Sequence, residues 1–365
     1  MPIIRCIICN RTYPPAGLPY CCPDCGGIFD YDGPPQIRPA ELENDLPGIW
    51  RYRHSFDLFP DAPLITLGEG NTPLVWEELD GYPIGLKIEG QNPSGSYKDR
   101  GSAVLVSQLL GRGAQFAVED SSGNAGASFA AYAARARLPA RVFVPESASG
   151  PKRAQIERYG AELVQVPGPR SAAATAVLKE VEHGAVYASH AYLPFFVTGV
   201  ATLAYEIWEN LGRVPGTVIA PVGHGGLLLG IVRGFTALLQ AGLIDHPPYY
   251  VGVQAQACAP VVAAFQSGLS AMESITEGST FAEGVRVRRP IHIEALLREI
   301  PPYAGQFLSI PEEDILPAFY DLAHRGFYVE PTSALGWCAL KYLFRKTPDP
   351  VIVVLSGSGL KYNSQ

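Results

Sequence analysis

Short apolar runs separated by longer amphipathic or alanine-rich stretches repeat along most of the chain. The apolar runs show no strict alternation with polar residues, which is typical of strands covered by helices on both faces. From residue 84 onward this pattern predicts strands at 85–89, 115–118, 140–144, 162–166, 217–220, 250–253 and 351–355, with helices at 96–110, 125–136 and 152–159. The order predicts parallel βαβ units and therefore an α/β protein.

The composition is that of an ordinary globular protein. Of the 365 residues, 47% are hydrophobic and 17% are charged, which argues against wholesale disorder. A formal net charge of −7 argues against a nucleic-acid partner, because phosphate backbones are bound by basic surfaces. No apolar run is long enough for a membrane span, and the segment MPIIRCIICN lacks the apolar core of a signal peptide. We therefore expect a cytoplasmic protein with no membrane or nucleic-acid partner.

Cysteines are concentrated near the beginning of the chain. Cys6 and Cys9 form one CxxC pair, and Cys22 and Cys25 form a second. This is the spacing of a four-cysteine zinc ribbon, in which each tight turn directs two thiolates at one ion. The alternatives are a metal-free remnant of such a ribbon and a pair of disulfides, and Cys21 is a spare thiol beside Cys22. The spacing predicts a structural Zn²⁺ bound by the two pairs.

Three glycine-rich stretches follow predicted strands and are expected to precede helices: SSGNAG (121–126), PVGHGG (221–226) and SGSG (356–359). Ligands of open α/β sheets bind beyond the carboxyl ends of the strands, where glycine allows close approach and a helix N-terminus favours an anion. Strand-to-helix turns also need glycine for their own geometry, so these stretches alone name no ligand. None matches GxxxxGK[ST], and no GxGxxG opens an early βαβ unit, which disfavours ATP and dinucleotides.

Lys98 is a candidate for covalent chemistry. It lies in NPSGSYKDRG (92–101), where Pro93 and Gly95 predict an irregular turn just before a helix. The positive end of a helix dipole disfavours the ammonium form of lysine, and a neutral amine is what Schiff-base chemistry requires. The alternative is a solvated charge that pairs with Asp99 or a nearby glutamate.

These stretches together resemble one family. NPSGSYKDRG resembles the NPTGSFKDRG element of threonine synthases and their relatives among the fold-type II pyridoxal 5′-phosphate (PLP) enzymes. SSGNAGASFAAYAARA resembles the cofactor-ring element of that group, PVGHGGLLLG its phosphate loop and SGSGLK its C-terminal element, in the same order. The segment GEGNTPL (68–74) after a cysteine ribbon is also found in many threonine synthases. The resemblance spans nearly the whole chain.

The resemblance implies a two-domain, tryptophan synthase β-like α/β fold with parallel sheets flanked by helices, to which a zinc-ribbon-like segment is added. We expect that segment at 1–35, a large PLP domain from 36–101 and 206–365, and a small domain at 102–205. Relatives are commonly dimers, so a homodimer is expected by analogy.

The family's functional residues can be carried over onto matching positions. Lys98 would carry PLP as a Schiff base and act as general base, Asn124 would hydrogen-bond the cofactor ring oxygen, and Ser356 would face the pyridine nitrogen. The cofactor phosphate would be bound by Gly223, His224, Gly225 and Gly226, and the substrate by Ser94, Ser121, Ser122 and Gly123. A neutral hydroxyl at the ring nitrogen suits elimination and replacement better than transamination. The implied enzyme is a PLP-dependent carbon–oxygen lyase, with conversion of O-phosphohomoserine to threonine as the leading candidate.

One element departs from the family pattern. Where phosphohomoserine-binding members carry NPxRxxGQKT, this chain has LPFFVTGVAT (193–202), so that Leu193 replaces the Asn and Phe196 the Arg. Apolar side chains solvate a phosphate dianion poorly. Either another cation replaces the Arg, with Arg286 and Arg288 as candidates unless they lie on the surface, or the substrate has no terminal phosphate.

The alternatives follow from this departure. They are a serine or threonine ammonia-lyase, and a β-replacement synthase that uses serine, O-phosphoserine or O-acetylserine, like cysteate or cysteine synthases. The apolar pair Phe195–Phe196 would suit a smaller or more hydrophobic side chain, and His190 is interpreted as a structural histidine. From other classes, the chain could be a catalytically silent regulatory paralogue or a zinc-dependent interaction protein.

Overall fold

The computed structural model describes residues 2–146, 150–168, 170–301, 304–343 and 345–362. The strands in this part of the chain are β1 (Ile4–Cys6), β2 (Phe29–Tyr31), β3 (Leu74–Leu79), β4 (Tyr82–Ile88), β5 (Ala117–Glu119), β6 (Ala140–Pro145), β7 (Glu162–Val166), β8 (Val186–Tyr187), β9 (Thr217–Pro221), β10 (Tyr249–Ala255), β11 (Gly305–Ile310) and β12 (Val351–Leu355). The helices are α1 (Lys98–Gly111), α2 (Asn124–Ala136), α3 (Pro151–Arg158), α4 (Arg170–Glu182), α5 (Phe195–Leu211), α6 (Gly226–Gln240), α7 (Pro260–Ser267), α8 (Ile293–Glu299), α9 (Glu312–His324) and α10 (Pro331–Leu343).

The chain divides into two compact units. The first unit comprises the described residues of Met1–Gly70 and Lys98–Val200, and the second those of Asn71–Tyr97 and Ala201–Tyr362. Residues 36–70, which we expected in the large domain, pack within the first unit. The division into three domains that we expected from the sequence stays a prediction, separate from these two units.

The first unit is built on a four-stranded parallel sheet in the order β7-β6-β5-β8. Its core includes Val118, Phe143 and Tyr187 from the strands and Val177 from α4. Helix α2 is almost entirely buried, and its many alanines leave room for close packing. The hairpin of β1 and β2 adds a separate antiparallel pair in the same unit.

The second unit is built on a six-stranded sheet in the order β11-β10-β9-β12-β4-β3. All neighbouring strands are parallel except β3, which pairs antiparallel with β4 at one edge. Strands β9 and β12 are buried along their whole length, as expected for strands covered on both faces. The predicted α/β architecture with parallel sheets is therefore confirmed.

The prediction for the last glycine-rich stretch was wrong in one respect. SGSG was expected to precede a helix, but in the described chain, which ends at residue 362, it is followed by a 3-10 turn at Gly359–Lys361. Within the described residues, no helix is both long and apolar enough to cross a membrane.

A buried ion pair lies in the second unit. The Nζ atom of Lys87 lies 2.9 Å from Oε2 of Glu206 and donates to the backbone carbonyl of Thr72 at 2.6 Å. The other carboxylate oxygen of Glu206 accepts a hydrogen bond from the backbone N–H of Asn71 at 2.7 Å. Both charged side chains are almost completely removed from solvent, at 0% and 5% exposure. Such a pair tolerates the loss of one partner poorly, because the remaining charge stays buried.

We expect Lys87→Ala to lower the free energy of unfolding by about 3–5 kcal/mol, since the substitution removes one partner of a buried ion pair. Urea unfolding followed by circular dichroism measures this change. The control is Lys341→Ala, which removes a solvent-exposed ion pair with Asp314 and should leave the midpoint unchanged. Equal midpoints for Lys87→Ala and the unmodified protein would contradict the prediction.

Candidate active site

Two neighbouring strand ends of the first unit carry a group of buried polar side chains. Strands β5 and β8 are adjacent and parallel, with Val118 opposite Tyr187, so their carboxyl ends lie at the same edge of the sheet. Strand β5 ends at Glu119 and is followed by Asp120 and the SSGNAG turn, within which α2 begins at Asn124. A Cβ atom on Gly126 would overlap the backbone carbonyl of Ser121, so the turn requires glycine there. The predicted substrate residues 121–123 therefore lie in a tight turn before a helix N-terminus.

Lys98 is the first residue of α1, as the sequence predicts. The adjacent Asp99 accepts a hydrogen bond of 2.6 Å from the hydroxyl of Ser128 on α2, which links the N-terminal halves of the two helices. Lys98 and Asn124 thus begin two helices that pack together within one unit.

Phe196 packs against the first turn of α1. Its ring centroid lies 5.6 Å from Nζ of Lys98, and a Cβ atom on Gly101 would lie 2.5 Å from the ring. Gly101 is therefore needed to accommodate the phenylalanine. Leu193 is also fully buried.

Phe195 and Phe196 do not form one apolar wall. Phe195 makes an edge contact with Tyr13, at 5.6 Å between ring centroids, and lies 5.3 Å from the guanidinium carbon of Arg112. Neighbouring residues on a helix point about 100° apart, which explains the separation. Of these two phenylalanines, Phe196 is the one whose ring lies against Lys98.

A buried group of hydrogen-bonding side chains lies at the ends of β5 and β8. Oε1 of Glu119 lies 3.0 Å from Nδ1 of His190, and Oδ1 of Asp120 accepts a hydrogen bond of 2.7 Å from the hydroxyl of Tyr187. Burial, followed by the nearby charge of Asp120, holds the pKa of Glu119 well above its usual range. Burial also raises the pKa of Tyr187, and Asp120 adds to this effect.

Glu119 was not among the residues predicted from the sequence, and His190 was assigned a structural role. Two consecutive acids at the end of an apolar strand, directly before SSGN, were the available signal. Carboxylates are seldom buried without a partner, and this pair precedes a candidate ligand turn.

The second unit has its own pair of neighbouring strand ends. Strands β9 and β12 are parallel partners, with Val353 opposite Ile219, so PVGHGG and SGSG leave the sheet at the same edge. Gly225 has φ of +100°, and a Cβ atom there would lie 2.8 Å from Leu296, so the loop requires glycine. Helix α6 begins at Gly226. A glycine loop that leads into a helix N-terminus can bind a phosphate through backbone N–H groups.

Ser356 is buried directly after β12. Its hydroxyl lies 3.1 Å from that of Ser333 on α10, and Ser333 accepts a hydrogen bond of 2.9 Å from the backbone N–H of Gly357. Ser94, another predicted substrate residue, is buried, and its carbonyl accepts a hydrogen bond of 2.7 Å from Nζ of Lys361.

The two arginines considered as replacement cations lie on the surface of the second unit. Arg286 is exposed and pairs with Glu277 at 3.3 Å. Arg288 is also exposed and contacts the backbone carbonyl of Glu273 at 3.4 Å. The interpretation of these residues as a surface loop agrees with this placement.

Four cysteine thiols meet in the hairpin of β1 and β2. The sulfur atoms of Cys6, Cys9, Cys22 and Cys25 all lie within 4.8 Å of one another, with Cys6 and Cys25 separated by 3.4 Å. A tetrahedral Zn²⁺ with Zn–S bonds of about 2.3 Å requires sulfur separations of about 3.8 Å. The cluster therefore has the dimensions of a four-thiolate site, and Cys21 is not part of it.

The turns of the hairpin orient these thiols. A Cβ atom on Gly27 would lie 2.8 Å from the sulfur of Cys6, so glycine leaves room for the thiol. Burial alone would raise the pKa of Cys6, but backbone N–H groups of Cys9 and Ile8 outweigh this effect, and hydrogen bonds from Cys25 and Cys9 add to theirs. Together they lower the pKa of Cys6 to about 7.

Comparison with known proteins identifies the family to which this chain belongs. A sequence model described as pyridoxal-phosphate dependent enzyme matches residues 65–357. Threonine synthase of Methanocaldococcus jannaschii is 33% identical, over 98% of this chain and 92% of that protein. Threonine synthase of Methanosarcina acetivorans is 31% identical, over 93% of this chain and 86% of that protein. The corresponding protein of Mycobacterium tuberculosis is 32% identical, over 89% and 91%.

Solved structures agree with this result. The threonine deaminase of T.th. has a TM-score of 0.67 and 27% identity, covering 80% of this chain and 94% of that one. Maize serine racemase has a TM-score of 0.68 at 19% identity, covering 80% and 89%, and supports the fold alone. The matched residues 65–357 and the relatives of more than 30% identity show that this chain belongs to the pyridoxal-phosphate-dependent enzyme family, as a threonine-synthase-like lyase.

Proposed function

We propose that the chain binds PLP through Lys98 and catalyses elimination or replacement at the side chain of an amino acid. The observation that carries this proposal is the position of Lys98 at the N-terminus of α1, which packs against the SSGN-bearing α2. When bound, PLP would supply an electron-withdrawing ring to the α-carbon of the amino acid. Nζ of Lys98 would hold the proton removed from that carbon.

The described residues suit the remaining parts of the cofactor. The glycine loop Gly223–His224–Gly225–Gly226 would bind the phosphate, since two of its glycines lie where a side chain would clash and α6 begins at its end. Ser356, paired with Ser333, would face the pyridine nitrogen, and Asn124 would hydrogen-bond the ring oxygen. A neutral hydroxyl at the nitrogen supports elimination over transamination.

The substrate has two candidates. The relatives named threonine synthase support O-phosphohomoserine, which would be converted to threonine. A hydroxy amino acid such as serine or threonine is favoured by one observation: Leu193 and Phe196, which stand where the family carries phosphate-binding Asn and Arg, are both buried, and Phe196 lies beside α1. The turn of Ser121, Ser122 and Gly123, with Ser94, would bind the amino acid itself.

The cysteine cluster would hold one structural Zn²⁺, as supported by its sulfur separations. The predicted cytoplasmic location and homodimeric state belong to the same proposal and rest on the family analogy alone.

Lys98→Ala should abolish the visible absorption band of protein-bound PLP and all turnover, because no other amine replaces the covalent link. The spectrum of the purified variant, recorded after incubation with PLP, measures this. Lys346→Ala, an exposed lysine in the second unit, serves as the control and should keep the band. A band of unchanged strength in Lys98→Ala would exclude Lys98 as the cofactor residue.

Titration with substrate candidates separates the two possibilities. If O-phosphohomoserine is the substrate, it should shift the cofactor band and release inorganic phosphate. If the substrate is a hydroxy amino acid, serine or threonine should shift the band while O-phosphohomoserine leaves it unchanged. Indifference of the band to all three compounds would contradict the proposed amino-acid chemistry.

Metal analysis tests the ribbon. The purified protein should contain one zinc ion per chain, and the double variant Cys22→Ser/Cys25→Ser should contain none and melt at a lower temperature, since the ion links the two turns. Cys21→Ser is the matched control, because Cys21 lies outside the cluster, and it should retain the zinc. Zinc-free protein purified without chelator would refute the assignment.

A further inference from the structure

We propose that Glu119 and His190 form a specificity pair, which binds an uncharged hydroxyl on the substrate's side chain in place of a phosphate ester. The inference rests on the PLP-dependent function proposed above and selects between its two substrate candidates. All of its residues belong to the first unit.

The sheet brings the two side chains together. Glu119 is the last residue of β5, and His190 follows β8, the parallel neighbour of β5. Nδ1 of His190 lies 3.0 Å from Oε1 of Glu119, and the exposed fractions of the two side chains are 12% and 1%. The pair therefore lies at the carboxyl ends of two neighbouring strands, where water is largely excluded.

Phe196 connects this pair with Lys98. Its ring makes an edge contact with the ring of His190, at 5.7 Å between centroids, and its centroid lies 5.6 Å from Nζ of Lys98. The charge of Lys98 also acts on Glu119. The pair thus flanks the residue that replaces the family's phosphate-binding Arg.

Glu119 keeps one polar atom for a ligand. Its Oε2 atom is buried and has no hydrogen-bond partner among the described residues of the chain. Leaving such an atom unsatisfied costs roughly 1–3 kcal/mol, which a ligand that hydrogen-bonds to it would recover. This atom is the observation that points to a bound group.

The charge of the site excludes a phosphate as that group. With a neutral imidazole at His190 the pair is uncharged when Glu119 is the neutral acid that burial favours and negative when Glu119 is ionised, and the neighbouring Asp120 adds a carboxyl group. Among the cations that act on Glu119, Arg170 is exposed, and Lys98 would be committed to the cofactor. A dianion would therefore meet an acidic, poorly solvating site in place of an Arg.

A hydroxyl suits the pair better than a cation does. An ammonium group would require an ionised Glu119, and burial opposes that ionisation. A hydroxyl both donates and accepts, so it can bind Oε2 in either protonation state. The site therefore fits a hydroxy amino acid, with Glu119 as the residue that recognises its side chain.

The test uses two ligands that cannot be turned over, because neither has an α-proton for Lys98 to remove. They are α-methylserine and 2-aminoisobutyrate, which differ only in the hydroxyl. Calorimetric titration of the holoenzyme gives a Kd for each. We expect α-methylserine to bind about tenfold more tightly, the gain of one hydrogen bond in a buried site.

Variants of Glu119 test whether this residue causes the difference between the two Kd values. Glu119→Ala should make the two Kd values equal, whereas Glu119→Gln, which keeps a donor and an acceptor, should retain most of the difference. Glu180→Ala, the removal of a partly exposed carboxylate on α4, is the matched control and should retain all of it. A purely structural role for Glu119 would change both Kd values alike, together with the melting temperature.

The outcomes separate the inference from the function on which it rests. If neither ligand binds the unmodified holoenzyme, the proposed amino-acid function fails. If both bind equally well, or if Glu119→Ala preserves the preference, the function stands and the hydroxyl-binding pair is wrong. Turnover of O-phosphohomoserine with a higher kcat/KM than serine and threonine would likewise overturn the inference.

Discussion

The parallel arrangement of strands is the constraint on which the rest of the structure depends. Parallel neighbours end at the same edge of a sheet, so residues far apart in sequence meet there. In the first unit this edge collects the SSGNAG turn, Glu119 and His190 from the ends of β5 and β8. In the second unit it collects the glycine loop and Ser356 from the ends of β9 and β12. Each unit therefore presents one set of candidate ligand-binding groups, because the neighbouring strands that carry them are parallel.

Desolvation decides which charges such a protein can keep inside. Lys87 and Glu206 remain buried because each neutralises the other, while backbone groups of Thr72 and Asn71 and the side chain of Asn210 provide further hydrogen bonds. Glu119 is buried for a different reason. A histidine contacts one of its oxygens, and its raised pKa favours the neutral acid, which costs less to bury than the carboxylate. The first arrangement supports the fold, and the second provides polarity without net charge at the candidate site.

Sequence patterns predicted the central strands of the two sheets but missed most of the edge strands. The strand at 351–355 matches β12, because a strand buried along its whole length leaves an uninterrupted apolar run. The strand at 162–166 matches β7 although β7 lies at a sheet edge and has no fully buried residue. Strands β3, β8 and β11 were not predicted, and all three lie at sheet edges, where partial exposure breaks such a run. Part of the candidate site was also predictable, because the glycine turns and Lys98 lie in short sequence motifs. The contact of Glu119 with His190 depends on strand order, which no local pattern records.

The contrasting environments of two consecutive phenylalanines bear on how substrate preference can change in this lineage and in the laboratory. Phe196 lies against Lys98, whereas Phe195 is locked between Tyr13 of the cysteine hairpin and Arg112. Saturation mutagenesis at position 196 can therefore explore new side-chain preferences without loosening the hairpin. Phe196 is itself buried against Gly101 and His190, so exchanges there have to respect its volume, whereas exchanges at Phe195 also act on the cysteine hairpin through Tyr13.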